Sequence, residues 1–318
     1  MYVQVQEHCC AVAYAVYIIG GALACALLGV WMVFIERRLF RVRRVVLDAG
    51  RMGLPPLRIL HVTDTHFCGH DGPILAFLER LSSQEQFDLL VLTGDLIDSR
   101  AGVASAARTA AFFKPRLGAF GVLGGHDYAS ISFVRAYTHI FARDQRAVYA
   151  APNPAAELVA RLEQSGVKVL EDANVLLTAP DGCRFAVIAL RDAFVFEPDF
   201  RAAWHGVDGE TPAIVIAHSP DVLPEARARG AALAFLGHTH GGQVRLPFVG
   251  ALVTRSHLPR RLASGLFRWG KTVFCINNGL GASPVVPYRL FCRPEVTVAE
   301  LAPSGRGAFT PIEEVDLG

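Results

Sequence analysis

No CxxC pair occurs in this chain, and its seven cysteines form an odd set, two of which, Cys9 and Cys10, sit at the mouth of an apolar run. Nothing therefore reads as a disulfide framework, and the cysteine usage suits a reducing compartment. Cys68 reads as a small, half-buried thiol. An excess of one charge is also missing: 31 Lys and Arg stand against 29 Asp and Glu, a net of +2. That balance excludes a dedicated nucleic-acid binder, whose basic footprint would dominate the domain. Repeats and low-complexity stretches are absent, so residues 57–302 read as one unit.

The longest absence is of charge itself. Residues 9–35 carry none, a run that at about 1.5 Å per residue exceeds a hydrocarbon core of roughly 30 Å. A transmembrane helix over about residues 11–35, within an N-terminal segment 1–36, is expected. A signal peptide would place basic residues ahead of a shorter apolar centre, and here they follow it. Arg37, Arg38, Arg41, Arg43 and Arg44 come directly after the run, with only Glu7 before it. The positive-inside rule then predicts a single-pass protein of the inner (cytoplasmic) membrane with its large domain in the cytoplasm. The same arginines would attract anionic headgroups. Residues 37–56, with Gly50, Gly53, Pro55 and Pro56, read as a basic juxtamembrane linker, and 303–318 as a loose C-terminal tail.

Between these, short apolar runs rich in β-branched residues predict buried strands at 57–63, 88–93, 120–123, 184–190, 213–217, 233–236 and 272–276. Helical spacing separates the early ones, for instance Ile74, Leu75, Leu78 and Leu81 behind Pro73. The alternation predicts an α/β domain of mixed sheets covered by helices.

Metal-ligand residue types cluster where these strands end: Asp64 and His66, Gly94 and Asp95, then residues 124–127, His218, and finally His238 and His240. Residues just beyond the carboxyl ends of neighbouring strands converge on one crevice. A single Asp-x-His is usually a surface or capping pair; five clusters at five strand ends are not. Carboxylate and imidazole donors without thiolate suit Mn, Fe or Zn in a catalytic role.

These residues resemble the calcineurin-like metallophosphoesterase superfamily, in particular its membrane-anchored bacterial branch. The resemblance runs through Asp64-Thr65-His66, Gly94-Asp95, Gly124-Gly125-His126-Asp127, His218-Ser219-Pro220-Asp221, residues 237–243 and residues 277–281. It implies a four-layer αββα sandwich over 57–302 and two divalent metal ions. Asp64, His66 and His240 would hold the first metal, Asp95 would bridge, and His218 and His238 would hold the second. A metal-bound hydroxide would attack phosphorus in line, with His126, oriented by Asp127, assisting the leaving oxygen. One position departs from the pattern: Gly125 stands where the family usually has the Asn that serves the second metal. That site should bind more weakly or borrow a water or another side chain, with Asp98 and Asn277 as stand-ins.

Residues 129–154 form an insertion whose helical reading puts Phe133, Tyr137, Ile140 and Phe141 on one face, with Arg135, Arg143 and Arg146 nearby. A tethered site and such a lid point to a lipid-linked phosphodiester or pyrophosphate. The competing reading, favoured by Gly125, is a metal- or lipid-binding membrane scaffold of the same fold.

Overall fold

The computed structural model describes residues 2–132, 134, 149–282, 286–305 and 308–317, with side chains from residue 14 onward. Phe133, Tyr137, Ile140, Phe141, Arg135, Arg143 and Arg146 lie outside the described residues.

Helix α1 (Tyr2–Val30) continues into a π-turn at Trp31–Ile35 and a 3-10 turn at Glu36–Arg38. Within it, Tyr14–Arg38 is long and apolar enough to cross a membrane, and its hydropathy maximum is not buried against the protein. Tyr17, Ile18 and Ile19 stand largely exposed. Apolar side chains without a protein partner over that length suit a lipid solvent.

The domain is built on two sheets. The first has six strands in the order β1 (Arg41–Asp48), β16 (Glu295–Ala302), β2 (Leu57–Val62), β3 (Leu89–Thr93), β4 (Gly118–Val122) and β7 (Val167–Val169). The second has seven, in the order β17 (Glu313–Glu314), β14 (Gly265–Trp269), β15 (Thr272–Ile276), β11 (Ala231–Leu236), β10 (Ala213–Ile216), β9 (Arg184–Ala189) and β8 (Ala173–Thr178). Period-two alternation divides their residues between layers. Ile59, Leu89, Val91 and Phe120 of the first sheet meet Val187, Ile214, Phe235 and Val273 of the second in the central core. Leu60, Val62, Leu90 and Leu92 face outward, onto α2 (Gly72–Gln84), α3 (Val103–Phe112) and a later helix at Ala155–Gln164. Short helices at Phe200–Ala203 and Leu223–Ala228 cover the far face of the second sheet. The expected four layers are present.

Parallel pairing of β3 with β2 and β4, and of β11 with β10 and β15, aims the carboxyl ends of six strands at one crevice. That is the placement the strand-end clusters required.

Two expectations are corrected. Residues 41–48 are not linker but the edge strand β1, paired in parallel with β16 along eight residues. Val45 and Leu47 enter the central core while Val42 packs on the outer layer, an alternation that the surrounding arginines disguise. Those arginines are committed: Arg41 and Arg43 face the fully buried Glu295 at 2.6 and 3.6 Å, and Arg44 bonds Glu85 at 2.9 Å. Nor is 303–318 a loose tail. Thr310 exchanges hydrogen bonds with Val46, β17 extends the second sheet, and Val315 and Leu317 pack beneath it.

If β1 belongs to the core, Leu47→Ala should lower the unfolding free energy of the detergent-solubilised chain by about 3 kcal/mol. An unchanged thermal midpoint would return residues 37–56 to linker status.

Candidate metal centre

Asp64, His66, Asp95, His238 and His240 all hold positive φ, from 47° to 68°. L-residues pay backbone strain there, and such strain gathers where surrounding structure over-determines a functional geometry. The chain leaves β2 and β3 side by side, with the Asp64 N–H donating to Gly94 O at 3.0 Å and the His66 N–H to Asp95 O at 3.1 Å. Glycine is obligatory at two nearby points. A Cβ on Gly124 would lie 2.3 Å from Asp95 Oδ1, and one on Gly237 2.4 Å from Asp64 Oδ2.

Three sets of donors form, Asp64–His66–His240, His66–Asp95–His126 and Asp64–Asp95–His218, each with its ligand atoms within 4.8 Å of one another. Asp95 Oδ2 is the hub, 3.2 Å from His218 Nε2 and 3.9 Å from both His66 Nε2 and His126 Nε2. His238 joins through His218, their Nδ1 and Nε2 being 3.3 Å apart. All six residues named as ligands from the sequence are therefore brought together.

Whether this set fits cations can be judged from its hydrogen bonds. His218 Nδ1 donates to Thr93 O at 2.7 Å and His238 Nε2 donates to Arg255 O at 2.9 Å. A carbonyl only accepts, so the neutral rings must turn lone pairs toward each other across 3.3 Å. His66 Nδ1 is likewise held by Asp98 at 3.1 Å, and its Nε2 faces His240 Nε2 at 2.9 Å. The facing lone pairs of His218 and His238 repel unless a proton or a cation lies between them, whereas His240, whose Nδ1 meets the donor Arg289, can turn an Nε2–H toward His66. Nitrogen and carboxylate donors buried with carboxylate and carbonyl partners behind them are what a catalytic divalent cation requires.

The same crowding governs the charges. Burial opposes a proton on His66, but Asp98, Asp95 and Asp64 outweigh it and push its pKa up to about 9. His218 is raised well above its ordinary value against burial by Asp95 and Asp192. For His240, burial comes first and the charges of His66 and Arg289 add to it, so its imidazole stays neutral.

Asp127 does not orient His126. Its oxygens receive the N–H groups of Leu96, Ile97 and Gly124 at 2.8–2.9 Å, bracing the turns that carry Asp95 and His126. Burial and then the charge of Asp95 push its carboxyl up to about 7. The orienting group is Asp98, whose Oδ1 meets Nδ1 of both His66 and His126. The family resemblance implied the nearer carboxylate, Asp127; the turn after β3 supplies the farther one. Asp98 is thus a support behind the ligands rather than a replacement ligand. Asn277 is committed too, donating to Thr297 Oγ1 at 2.8 Å and accepting from the Gly279 N–H at 2.7 Å.

Two residues escaped the sequence reading. Arg289 is fully buried and donates to the carbonyls of Asn278 and Gly281 at 2.8 and 2.6 Å, with His240 Nδ1 at 3.5 Å. Asp192, 1 % exposed, keeps Oδ2 unpartnered; burial raises its pKa against the pull of His218 and His238. Neither lies in a recognisable motif, although Asp192 follows a strand end as the other acids do.

A buried crevice of carboxylates and imidazoles at the carboxyl ends of parallel strands defines a metal-dependent hydrolase of the mixed α/β type. The sequence profile described as Calcineurin-like phosphoesterase matches residues 57–242, and the chain belongs to that family. It is 28% identical over 305 residues to the UDP-2,3-diacylglucosamine pyrophosphatase LpxG of Chlamydia trachomatis, covering 83% of this chain and 90% of the relative. It is 27% identical over 217 residues to the metallophosphoesterase YkuE of Bacillus subtilis, covering 67% and 68%. With the phosphodiesterase YaeI of Escherichia coli it shares 31% over 140 residues, 44% of this chain and 49% of that one. As a member of this family the chain is a hydrolase of phosphate esters.

Asp98→Asn, which weakens the hold on two imidazoles while leaving both in place, should lower divalent-cation affinity by roughly 10- to 100-fold. Calorimetric titration with Mn²⁺ would measure it, and an unchanged affinity would remove Asp98 from the centre.

Proposed function

We propose that this protein is a membrane-anchored phosphoesterase with two divalent cations, Mn, Fe or Zn, that cleaves a phosphodiester or pyrophosphate bond of a lipid-linked substrate. The observation that carries the reading is Asp95, one carboxylate oxygen approached by His66, His126 and His218 together. A single bridging carboxylate between two donor sets is how a protein places two cations close enough to serve one phosphate.

In this reading Asp64, His66 and His240 hold one cation, His218 and His238 the other, and Asp95 both. The cations would supply Lewis acidity and an activated water. The protein's own part is orientation and proton handling. Thr93 O and Arg255 O fix the rings of His218 and His238, and Asp98 fixes His66 and His126. His126, so held, gives a proton to the leaving oxygen. Gly94, Gly124 and Gly237 let the turns pack directly against one another and against Asp95 and Asp64, so those two carboxylates keep their places.

The lipid-linked substrate is supported by α1, by the LpxG relatives and by an apolar cavity of about 250 Å³ beside His238 and His240, walled by Val244, Leu252, Val253, Val286 and Tyr288. The excess of arginine after α1 supports a domain on the cytoplasmic side. Gly125 favours a second reading, a scaffold that keeps the fold but turns over slowly. In the enzyme reading, by contrast, Gly125→Asn should raise cation content per chain and turnover together.

The full chain in detergent, loaded with Mn²⁺, should hydrolyse bis-p-nitrophenyl phosphate faster than p-nitrophenyl phosphate, and His240→Ala should abolish turnover with the circular dichroism unchanged. Absence of turnover in the wild type, with none gained in Gly125→Asn, would establish the scaffold instead.

A further inference from the structure

We propose that the hairpin at residues 245–251, together with Phe291, is a second membrane contact, a wedge that enters the headgroup and upper acyl region of an anionic bilayer beside the exit of α1. The proposal rests on the reading of α1 as a membrane anchor.

The hairpin is made of β12 (Arg245–Leu246) and β13 (Gly250–Ala251), joined by residues 247–249. Its surface is the opposite of what a solvated turn presents. Phe248 is fully exposed, Val249 and Phe291 are more than 60% exposed, and Leu246 and Leu252 flank them. Apart from α1 with its exit, the described residues expose large apolar side chains elsewhere only singly, at Val134 and Leu176. A contiguous apolar patch of this kind marks an interaction surface. Phe248 also holds φ +64°, strain that an aromatic residue accepts here with no packing in return.

Continuity with the helix selects the bilayer as the partner. The hairpin root is bonded to the loop that carries Phe291, Arg245 N–H to Leu290 O and Leu290 N–H to Gln243 O, both at 2.9 Å. That loop is bonded in turn to the end of α1. The Arg289 N–H donates to Met32 O at 3.2 Å, and Glu36 accepts from the Trp31 indole at 2.8 Å and from the Cys292 N–H at 2.7 Å. A cavity of about 980 Å³ separates the helix from the domain, and Leu28 and Trp31 share it with Arg245, Leu290, Phe291 and Arg293. Leu28 lies within the apolar span. Phe291 therefore borders the same cavity as a helix residue that would lie in lipid, and the hairpin root at Arg245 borders it too.

Charge agrees with this. Arg245 and Arg293 bond the carbonyls of Gly241 and Leu39 rather than carboxylates, so their charge is available to anionic headgroups. The other side of the hairpin, through Val244 and Leu252, walls the apolar cavity next to His238 and His240. One element thus separates the bilayer from the metal centre, where a lipid-borne phosphate would have to pass.

The test uses tryptophan emission from the full-length chain in phosphatidylglycerol–phosphatidylcholine vesicles whose acyl chains carry bromine. The wild type has Trp31, Trp204 and Trp269, and quenching of Trp31 reports whether α1 is in the membrane. Phe248→Trp should add a blue-shifted component quenched roughly two-fold, as for a ring at the headgroup–acyl boundary, while Leu176→Trp adds none. Quenching in Phe248→Trp no greater than in the wild type would overturn the wedge and leave the anchor standing. A blue shift insensitive to bromine would place the hairpin against protein, such as a second copy, and overturn it too. No quenching in the wild type would sink the anchor and the wedge with it.

Discussion

Imidazole lone pairs cannot face one another in a buried crevice unless something positive lies between them, and much of this structure serves to hold them there. His218 looks at His238 in this way because Thr93 and Arg255 have claimed the other nitrogen of each ring, while His66 looks at His240 with Asp98 behind it. The positive φ of Asp64, His66, Asp95, His238 and His240 is the local cost of that arrangement. Two sheets packed face to face make the cost bearable, because a core of interdigitated strand residues leaves the connecting turns no other conformation.

The same logic explains why the neighbourhood is short of side chains and rich in backbone bonds. Asp127 ties three N–H groups from two turns to one carboxylate, so the β3 and β4 turns move together or not at all. Arg289 does the equivalent with carbonyls beneath His240. Buried charges are tolerated in both places because each is surrounded by the polar groups it needs.

The junction with α1 is continuous with this framework. Glu36, buried at the end of the helix, accepts from residues on both sides of it, and β1 follows within a few residues and enters the core. A helix joined this way transmits its orientation to the crevice, whereas a flexible tether would only limit its distance.

Much of this was legible in the sequence. The Asp and His residues of the crevice, the strands that carry them and the apolar helix each leave a local signature: residue type at a strand end, alternation within six residues, charge absent over a whole segment. What the sequence could not determine was partnership between distant residues. Asp98 rather than Asp127 orients His126, residues 41–48 join a sheet whose next strand lies at 295–302, and Arg245 and Phe291 share a cavity with Trp31. Local pattern reports how a residue sits on its own element, since that depends on neighbours a few positions away. Which element faces which is decided by packing between segments hundreds of residues apart, and only the tertiary structure holds that information.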